Sequence, residues 1–424
     1  MTRILVVNVY SWRNKGDAAI VLGMVEDLRS AFQDAEIVLS TQEPEDDRGR
    51  YECEVLGSFR SLALRLTKRR WAIVALMLVL IPASLLWALC RRSLGVRLPL
   101  PRAFAALLDA YARADLVVSC GGGYLYGGRG PTSFLGPVFE LYALFFASAV
   151  GRPLYLYAQS LGPFYGRVQR WMTSLALRGA RLFQVREDFS ARLARELAGG
   201  VTTRVGYDAA FLTPTLFEDG GDIELPELAE LPEPVVGLTV RAWSNPTVQA
   251  RYEKQMVRYI HVLHDRGFSV VIFPQVTVAP FDDDRSVMER FRPYVADLPR
   301  VTIIRRELEL VEILALMERF TFMVGTRMHS NIMALSRGTP CIAISYQPKT
   351  EGIMEQLGMS SYVVPYERAT AEALLDRTDG ILEHLAELKE TLEHQIGPIQ
   401  QQVYQNGLSI YEDYMSLSSE SSRA

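Results

Sequence analysis

The feature that most constrains the fold is an alternation of short apolar runs with longer helical patterns, which occurs in both halves of the chain. In the first half, apolar runs typical of buried strands lie at residues 4–9, 36–40, 115–119, 153–158 and 182–185, and helical patterns lie at 17–32, 102–113, 134–150 and 167–178. Strand–helix alternation of this kind predicts a parallel sheet with helices on both faces.

The second half repeats the alternation after an acidic segment, residues 218–234, that contains three prolines and is predicted to be a linker. Its strand runs lie at residues 235–240, 269–274, 301–304, 320–324 and 341–345, and its helical patterns lie at 248–266, 308–319 and 350–357. A length of 424 residues suits two domains of ordinary size. A ligand is then expected between the two halves, at the carboxyl ends of the strands.

The predicted domain organisation has five parts. These are an N-terminal α/β domain (1–217) that includes the hydrophobic segment 71–90, the linker (218–234), a C-terminal α/β domain (235–395), a C-terminal helix (396–418) and a Ser-rich tail expected to be disordered (419–424).

Composition and cysteine spacing argue against some classes of protein and indicate a cellular compartment. The formal net charge of −4 argues against a general nucleic-acid binder. The four cysteines form no CxxC pair, which favours reduced thiols in the cytoplasm over disulfides or a zinc site. No cluster of potential ligands has a spacing that predicts a metal site. The N-terminus is interpreted as a first buried strand and not as a secretory signal.

One segment, residues 71–90, is uncharged over twenty residues and has the length of a membrane-spanning helix. Lysine and arginine flank both ends, so each end prefers the cytoplasmic side, and Pro82 lies in the middle. We expect a hydrophobic helical insertion in the N-terminal domain that enters membrane lipid as a shallow hairpin or in-plane helix without spanning it. The alternatives are a hairpin buried in protein, a dimer contact and a true span.

The stretch 325–349 predicts a strand, a tight turn, a helix and a second strand. Gly325 ends the first strand and Thr326 is the predicted helix cap. Arg327 and His329 would then lie on a first helical turn, where free backbone N–H groups and the helix dipole favour an anion. Lys349 follows the next strand. The sequence therefore predicts a site for a phosphorylated or carboxylated small molecule.

Further polar residues follow predicted strands. Arg186, Arg241 and Gln275 occupy such positions and are candidate ligand-binding residues, because a guanidinium binds carboxylate or phosphate in bidentate fashion. An ordinary ion pair is the alternative for each arginine, Arg327 included. In the first half, the candidate ligand-binding residues are Asn14, Asp17, Gly121, Gly122, Gly123, Tyr124 and Gln159. Helix capping by Asp17 and a merely flexible glycine loop are the alternatives there.

Taken together, these motifs resemble the polysaccharide pyruvyl transferases over roughly residues 4–358. The resemblance is carried by Asn14–Asp17, Gly121–Gly123, Gln159 with Gly162-Pro163, Val185–Glu187, and Arg327-Met-His329 with Tyr346 and Lys349. It implies a pair of Rossmann-like domains like those of GT-B glycosyltransferases. It also implies transfer of a pyruvyl group from phosphoenolpyruvate to a sugar, forming a ketal, without a cofactor.

By this resemblance, Arg186, Arg327 and His329 hold or activate phosphoenolpyruvate, and Lys349 neutralises its phosphate. Arg241 and Gln275 are further donor-binding candidates, and the domain 235–395 is the donor side. The domain 1–217 is the acceptor side, with the candidate acceptor-binding residues Asn14, Asp17, Gly121, Gly122, Gly123, Tyr124 and Gln159. His329 is the expected proton donor because imidazole titrates near neutrality. Asp17 is the candidate base on the acceptor hydroxyl, and no metal is required because the cations carry the charge.

The acceptor would be a bacterial surface polysaccharide or its lipid-linked precursor, reached at the inner face of the cell membrane. One rival interpretation is a GT-B glycosyltransferase using a nucleotide sugar, with Glu351 on the ribose. A second is a non-catalytic membrane scaffold for polysaccharide assembly. The sequence names neither the acceptor sugar nor the oligomeric state.

Overall fold

The computed structural model describes residues 1–67, 69–94, 100–129, 137–217, 223–243, 245–279 and 282–421. The chain divides into two compact units. The first contains Met1–Trp12, Ile20–Ala209 and the chain from Gln402 onwards, and the second contains Arg13–Ala19 and Ala210–Gln401. Each unit is built on a parallel sheet flanked by helices, which confirms the predicted α/β class.

The first unit is built on an eight-stranded sheet with the order β3-β2-β1-β4-β6-β7-β8, and β5 pairs beside β6. All of these pairings are parallel, and the central strands β1, β4 and β6 are buried along all or nearly all of their length, as expected for the middle of a sheet covered on both faces. The strands are β1 (Arg3–Val9), β2 (Glu36–Thr41), β3 (Glu54–Gly57), β4 (Leu116–Ser119), β5 (Gly122–Leu125), β6 (Leu154–Leu161), β7 (Ala180–Val185) and β8 (Thr202–Val205).

The helices of the first unit lie mainly on one face of this sheet, where buried residues of α3 to α8 share one hydrophobic core with β1, β4, β6 and β7. They are α1 (Lys15–Ala31), α2 (Pro44–Asp47), α3 (Phe59–Leu66), α4 (Arg70–Leu94), α5 (Arg102–Arg113), α6 (Val138–Ala149), α7 (Arg167–Leu177) and α8 (Asp188–Leu197). The first turn of α1, up to Ala19, belongs to the second unit.

The second unit is built on a six-stranded parallel sheet with the order β13-β10-β9-β14-β15-β16, and β11 and β12 form a separate antiparallel pair. The strands are β9 (Val235–Thr239), β10 (Ser269–Ile272), β11 (Thr277–Val278), β12 (Asp282–Asp283), β13 (Val301–Ile303), β14 (Phe322–Gly325), β15 (Cys341–Ser345) and β16 (Val363–Pro365). The helices are α9 (Pro246–Asp265), α10 (Arg285–Val295), α11 (Leu310–Glu318), α12 (Met328–Ser336), α13 (Pro348–Gln356), α14 (Ala371–Glu383) and the first part of α15 (Leu385–Ser421). From Gln402 onwards, α15 belongs to the first unit.

In both sheets the strand order reverses beside the first strand, between β1 and β4 in one unit and between β9 and β14 in the other. Connections on the two sides of such a point lead to opposite faces of the sheet. The carboxyl ends of these strands are therefore the expected ligand positions of each unit.

The ends of the predicted domains differ from the structure at three places. The main N-terminal stretch of the first unit ends at Ala209 and not at residue 217, and residues 218–222 of the predicted linker lie outside the described residues. Arg13–Ala19 was expected in the N-terminal domain but belongs to the second unit, because its backbone pairs with that unit. The predicted disordered tail is helical as far as Ser421, because α15 continues through it; residues 422–424 are not described.

The hydrophobic segment 71–90 lies within one continuous helix, α4, and not in a hairpin broken at Pro82. Pro82 is on the exposed side of α4, where water can reach the carbonyl that loses its helical donor. Trp87 and Ser84 are buried on the opposite side, and the Ser84 hydroxyl lies 2.5 Å from the Tyr142 hydroxyl of α6. Among the described residues, none of the helices combines the length and apolar character that crossing a membrane demands.

A candidate active site in the second unit

Arg327 anchors the carboxyl edge of the second sheet. Arg327 is the N-cap residue of α12, a position that the sequence analysis predicted for Thr326. The Thr326 hydroxyl lies instead 2.9 Å from the Tyr252 hydroxyl. The guanidinium is buried and donates to two carboxylates. Its Nε and Nη2 bond Asp284 Oδ1 at 3.2 and 2.6 Å, and its Nη1 bonds Asp282 Oδ2 at 2.9 Å. Arg327 is thus held in one orientation by a double ion pair.

The two carboxylates differ in their surroundings. The side chain of Asp282 is 36% exposed, whereas that of Asp284 is fully buried. Burial raises the pKa of Asp284, although Arg327 and the Val276 N–H oppose the shift. Burial disfavours the Arg327 cation, but the two carboxylates outweigh it and raise its pKa, so it stays charged. The sequence analysis left an ion pair open as the alternative for these arginines, and at Arg327 the structure shows a guanidinium balanced by two carboxylates.

His329 lies on the first turn of α12, as predicted, and is half-buried. Its imidazole packs directly against Gly16: a Cβ built at that glycine would lie 2.3 Å from His329 Nδ1. Real Cβ atoms do not approach so closely, so a glycine is needed at position 16 for this contact. The structure therefore brings the predicted loop Asn14–Asp17 together with the predicted proton donor.

This loop is fixed by backbone pairing within the second unit. Asn14 forms an antiparallel bridge with Val276, and the Lys15 N–H donates to the Gln275 carbonyl at 3.1 Å. Asn14 Oδ1 accepts from the N–H groups of Gly16 and Asp17 at 3.2 and 3.5 Å, so Asn14 caps α1. Asp17, the alternative cap in the sequence analysis, is half-buried on the first turn of α1. It remains a candidate base in the same unit as His329.

Lys15, which the sequence analysis overlooked, belongs to the same region. Its side chain is 2% exposed, and its Nζ lies 2.8 Å from Glu307 Oε1. The acidic residues Asp282 and Asp284 were overlooked as well. The run of three aspartates at 282–284 was a signal, because such a run soon after a buried strand can supply partners for an arginine at the same sheet edge.

Gln275 is the least satisfied polar side chain of this region. It is 1% exposed, and neither its Oε1 nor its Nε2 has a hydrogen-bond partner among the described residues. Its backbone N–H donates to Asp284 Oδ2 at 3.1 Å, which fixes the residue beside the Arg327 ion pair. A buried amide without partners is costly, so a polar ligand group is a chemically suitable partner for it.

Arg241 follows β9 and lies among aromatic rings. Its guanidinium carbon is 4.0 Å from the ring centre of Tyr346 and 4.9 Å from that of Trp243. Trp243 in turn stacks on Tyr366 with a centroid distance of 4.8 Å. Cation–π contacts orient the guanidinium. Lys349 lies in the first turn of α13 and is half-buried.

The remaining predicted donor residue, Arg186, lies in the first unit at the end of β7. It is 2% exposed, forms an ion pair with Asp208, and donates from Nε to Ser160 Oγ at 2.7 Å. The structure thus places Arg186 in one unit and both Arg327 and His329 in the other.

The predicted acceptor residues of the first unit make internal contacts. Gln159 Nε2 donates to the Gly122 carbonyl at 2.6 Å, and the Tyr124 hydroxyl lies 2.8 Å from Ser119 Oγ. Gly121 is closely packed: a Cβ built there would lie 3.1 Å from the Tyr157 carbonyl oxygen. These residues order the carboxyl edge of the first sheet.

A polar cluster at the same edge was overlooked. Asn8, with a positive φ of 65°, donates from Nδ2 to Ser119 Oγ at 3.3 Å and to the Glu140 carbonyl at 3.2 Å. The Glu140 carboxylate is buried and accepts from Gln42 Nε2 at 3.1 Å and Arg60 Nη1 at 3.0 Å. These contacts join residues far apart in sequence, so no local motif signals them.

Among the described residues, no group of three or more histidine, cysteine, aspartate or glutamate side chains is placed to hold a metal ion.

The chain is similar to known proteins both in sequence and in fold. A family model described as polysaccharide pyruvyl transferase matches residues 14–348. The amylovoran biosynthesis protein AmsJ of Erwinia amylovora is 24% identical over 399 residues, which cover 92% of this chain and 94% of that protein.

Two solved structures illustrate the fold. The UDP-GlcNAc 2-epimerase of Neisseria meningitidis, bound to UDP-GlcNAc, has a TM-score of 0.59 at 14% identity, covering 96% of this chain and 100% of that one. UGT73P12 of Glycyrrhiza uralensis, complexed with glycyrrhetinic acid 3-O-monoglucuronide, has a TM-score of 0.59 at 9% identity, covering 100% and 97%. At these identities the likeness shows the fold alone, a GT-B-like pair of Rossmann-like domains.

Proposed function

The chain belongs to the polysaccharide pyruvyl transferase family, and we propose that it transfers a pyruvyl group from phosphoenolpyruvate to two hydroxyls of a sugar, forming a ketal. The observation that carries this proposal is the meeting of His329, Gly16 and the anchored Arg327 at the carboxyl edge of one sheet. This arrangement combines a proton donor, a fixed cation and a helix N-terminus, which together suit an acidic three-carbon donor.

The donor would bind at the start of α12, with its acidic groups near the helix N-terminus. Asp284 keeps Arg327 in place, and the partly exposed Asp282 is the partner that a donor carboxylate or phosphate would replace. The buried Gln275 amide would supply a neutral donor and acceptor at the same edge. Lys349, in the first turn of α13, and Arg241 are the remaining cations proposed for the donor.

In the proposed reaction, His329 donates a proton to the methylene carbon of phosphoenolpyruvate, which becomes the methyl group. The adjacent carbon then has oxocarbenium character and is attacked by one sugar hydroxyl, whose proton Asp17 accepts. Inorganic phosphate leaves, taking the bonding electron pair, and accepts the proton held by Asp17. The second hydroxyl closes the ketal and passes its proton to His329, which restores the proton donor. No redox change or cofactor is required.

The direct test measures phosphate release and pyruvylated product from phosphoenolpyruvate and oligosaccharide acceptors. We expect His329→Gln to lower kcat by roughly 100-fold or more, because it removes the proton donor. His261→Gln is the matched control, since the half-buried His261 of α9 contacts the Tyr294 carbonyl at 2.9 Å and has no role in the proposed reaction, and it should leave the rate unchanged.

Two other outcomes would contradict the proposal. Consumption of a UDP-sugar in place of phosphoenolpyruvate would indicate a glycosyltransferase, although Glu351, its ribose candidate, already accepts from Ser345 Oγ at 3.0 Å. Full complementation of a polysaccharide-deficient strain by His329→Gln would indicate a scaffold.

We also propose that the acceptor is lipid-linked and that α4 holds the protein at the inner face of the cell membrane. On α4 the side chains of Leu78, Leu86 and Leu89 are 75%, 52% and 60% exposed, whereas Trp87 is 2% exposed. An apolar outer face of this kind suits insertion into the bilayer interface. Because the inner face completes the core, substitution of the exposed leucines is a cleaner test than deletion of residues 71–90.

A further inference from the structure

Positive charge is concentrated in two segments of this acidic chain. Residues 55–108 and 141–186 contain 15 of the 45 Lys and Arg residues and none of the 49 Asp and Glu residues. The rest of the chain consequently carries a net charge of −19, although the whole carries only −4. The first segment contains α4 and the second contains α7, so both helices lie in surroundings free of acidic sequence neighbours.

Both helices belong to the same layer of the first unit. Trp87 and Ala88 of α4 and Ala176 and Leu177 of α7 are part of one hydrophobic core, together with residues of α6. Helix α6 contacts both α4 and α7. The two helices therefore cover the same face of the sheet.

Helix α7 has an apolar outer face that nothing in the proposed reaction uses. Val168, Trp171 and Leu175 are 53%, 65% and 45% exposed. Their spacing of three and four residues places them on one stripe of the helix. The opposite face is buried through Thr173, Ala176 and Leu177. A large exposed stripe with a tryptophan at its centre is uncommon on a surface that faces water alone.

Arginines lie at both ends of this stripe. Arg167 begins α7 and Arg178 follows its last residue, and both are exposed. No ion pair of either arginine occurs within the part of the chain that the structure describes. An exposed tryptophan between two unneutralised cations is typical of a helix that lies in the interface of an anionic bilayer.

We propose that the stripe Val168, Trp171 and Leu175, with Arg167 and Arg178, is a second membrane-binding surface for anionic lipid, additional to α4. This inference extends the proposed membrane placement of α4 and does not depend on the reaction that the protein catalyses. The apolar side chains enter the headgroup region, and the arginines contact lipid phosphates. Charge complementarity selects the occupant: Arg170 of α7 is already paired with Glu196, whereas Arg167 and Arg178 have no such partner among the described residues and are the cations that would attract an anionic surface.

The test uses the full chain and vesicles of phosphatidylcholine with or without phosphatidylglycerol, without phosphoenolpyruvate or acceptor. We expect the triple variant Val168→Gln, Trp171→Gln and Leu175→Gln to lower partition onto anionic vesicles by about tenfold, because it removes the inserted side chains. The double variant Arg167→Gln and Arg178→Gln should lower binding to anionic vesicles and leave binding to neutral vesicles unchanged.

The matched control replaces Val205 and Tyr294 by glutamine. These residues are 52% and 64% exposed but belong to β8 and α10 and not to α7, so the control should bind vesicles like the native chain. A second measurement needs only Trp171→Phe, which keeps the stripe apolar. Brominated anionic lipid should quench the tryptophan fluorescence of the native chain more than that of this variant.

Three results would overturn the inference. These are native-like vesicle binding by the triple variant, equal quenching of the native chain and Trp171→Phe, and a change from dimer to monomer in the triple variant with vesicle binding retained. The last result, measured by light scattering, would assign the stripe to contact between two copies of the chain. Loss of vesicle binding with full activity on a soluble acceptor would support the inference and leave the proposed reaction intact.

Discussion

At the scale of single residues, the candidate site depends on close contacts that leave little room for substitution. Gly16 lies against His329, and Arg327 lies between Asp282 and Asp284. Each contact fixes a side chain to which we assign a role in donor binding or proton transfer. Changes at these neighbours should therefore alter activity without removing a catalytic group.

Substitution of Gly16 tests the contact with His329. In Gly16→Ala, the added Cβ would lie 2.3 Å from the imidazole Nδ1, so the ring must move. We expect kcat to fall by at least about tenfold, since a displacement of about 1 Å can cost far more than that. Gly200→Ala is the control, because a Cβ there meets no atom within 4 Å. Native kcat in Gly16→Ala would argue against a role for His329 in this position.

Because the two carboxylates that bind Arg327 differ in burial, removing one should lower the free energy of unfolding more than removing the other. Asp284→Ala leaves a buried guanidinium with one partly exposed partner, so the free energy of unfolding should fall by about 3 kcal/mol, and kcat/KM for phosphoenolpyruvate should fall as well. Asp282→Ala removes only the exposed partner, so we expect a loss of stability below about 1 kcal/mol. Urea unfolding and steady-state kinetics measure both effects. Equal losses of stability in the two variants would contradict the assigned roles.

At the scale of elements, α15 completes the first unit. The Asn406 side chain packs against Gly206: a Cβ built at that glycine would lie 2.2 Å from Asn406 Oδ1. The backbone carbonyl of Asn406 accepts a hydrogen bond from Gln184 Nε2 at 2.7 Å. The next residue, Gly407, donates its N–H to Asp27 Oδ2 of α1 at 2.7 Å. The C-terminal part of α15 is thus fixed by side chains from α1 and β7, which explains why it continues as an ordered helix.

Asp27 gives this contact a dependence on pH. Burial raises its pKa to about 7, against the Tyr157 and Gly407 hydrogen bonds, which lower it. A carboxyl with a raised native pKa favours the native state when protonated, so its contribution to stability declines as pH rises from about 4 to about 7. Burial also raises the pKa of Asp47, to about 6. Its contribution to stability therefore also declines as pH rises, but over a narrower range of pH.

We therefore predict that Asp27→Asn flattens the dependence of unfolding free energy on pH between about pH 4 and pH 7, the range between the ordinary pKa of the carboxyl and its raised native pKa. Between pH 6 and pH 7 alone, the difference between native chain and variant should change by about 1 kcal/mol. Urea unfolding at pH 5, 6, 7 and 8 measures it. A constant difference across the series would show that Asp27 does not titrate in this range.

At the scale of the whole molecule, the sequence predicts those features that depend on residues close together in the chain. The strands and helices follow from apolar periodicity, and His329 was found because strand, glycine and helix start are contiguous. The partners of the cations were not found, because they are distant in sequence. Lys15 and Glu307 are separated by 292 residues, and Arg327 and Asp284 by 43. Hydrophobicity alone likewise could not show that one side of α4 completes a core.

The most direct test of the central claim follows labelled carbon from donor to product. The protein is incubated with ¹³C-labelled phosphoenolpyruvate and the lipid-linked oligosaccharides of a strain that lacks it, and the products are examined by NMR and mass spectrometry. We predict that the label enters the oligosaccharide as a ketal, with one inorganic phosphate released for each pyruvyl group transferred. Label that remains in phosphoenolpyruvate, while the oligosaccharide gains a hexose from a UDP-sugar, would contradict the account.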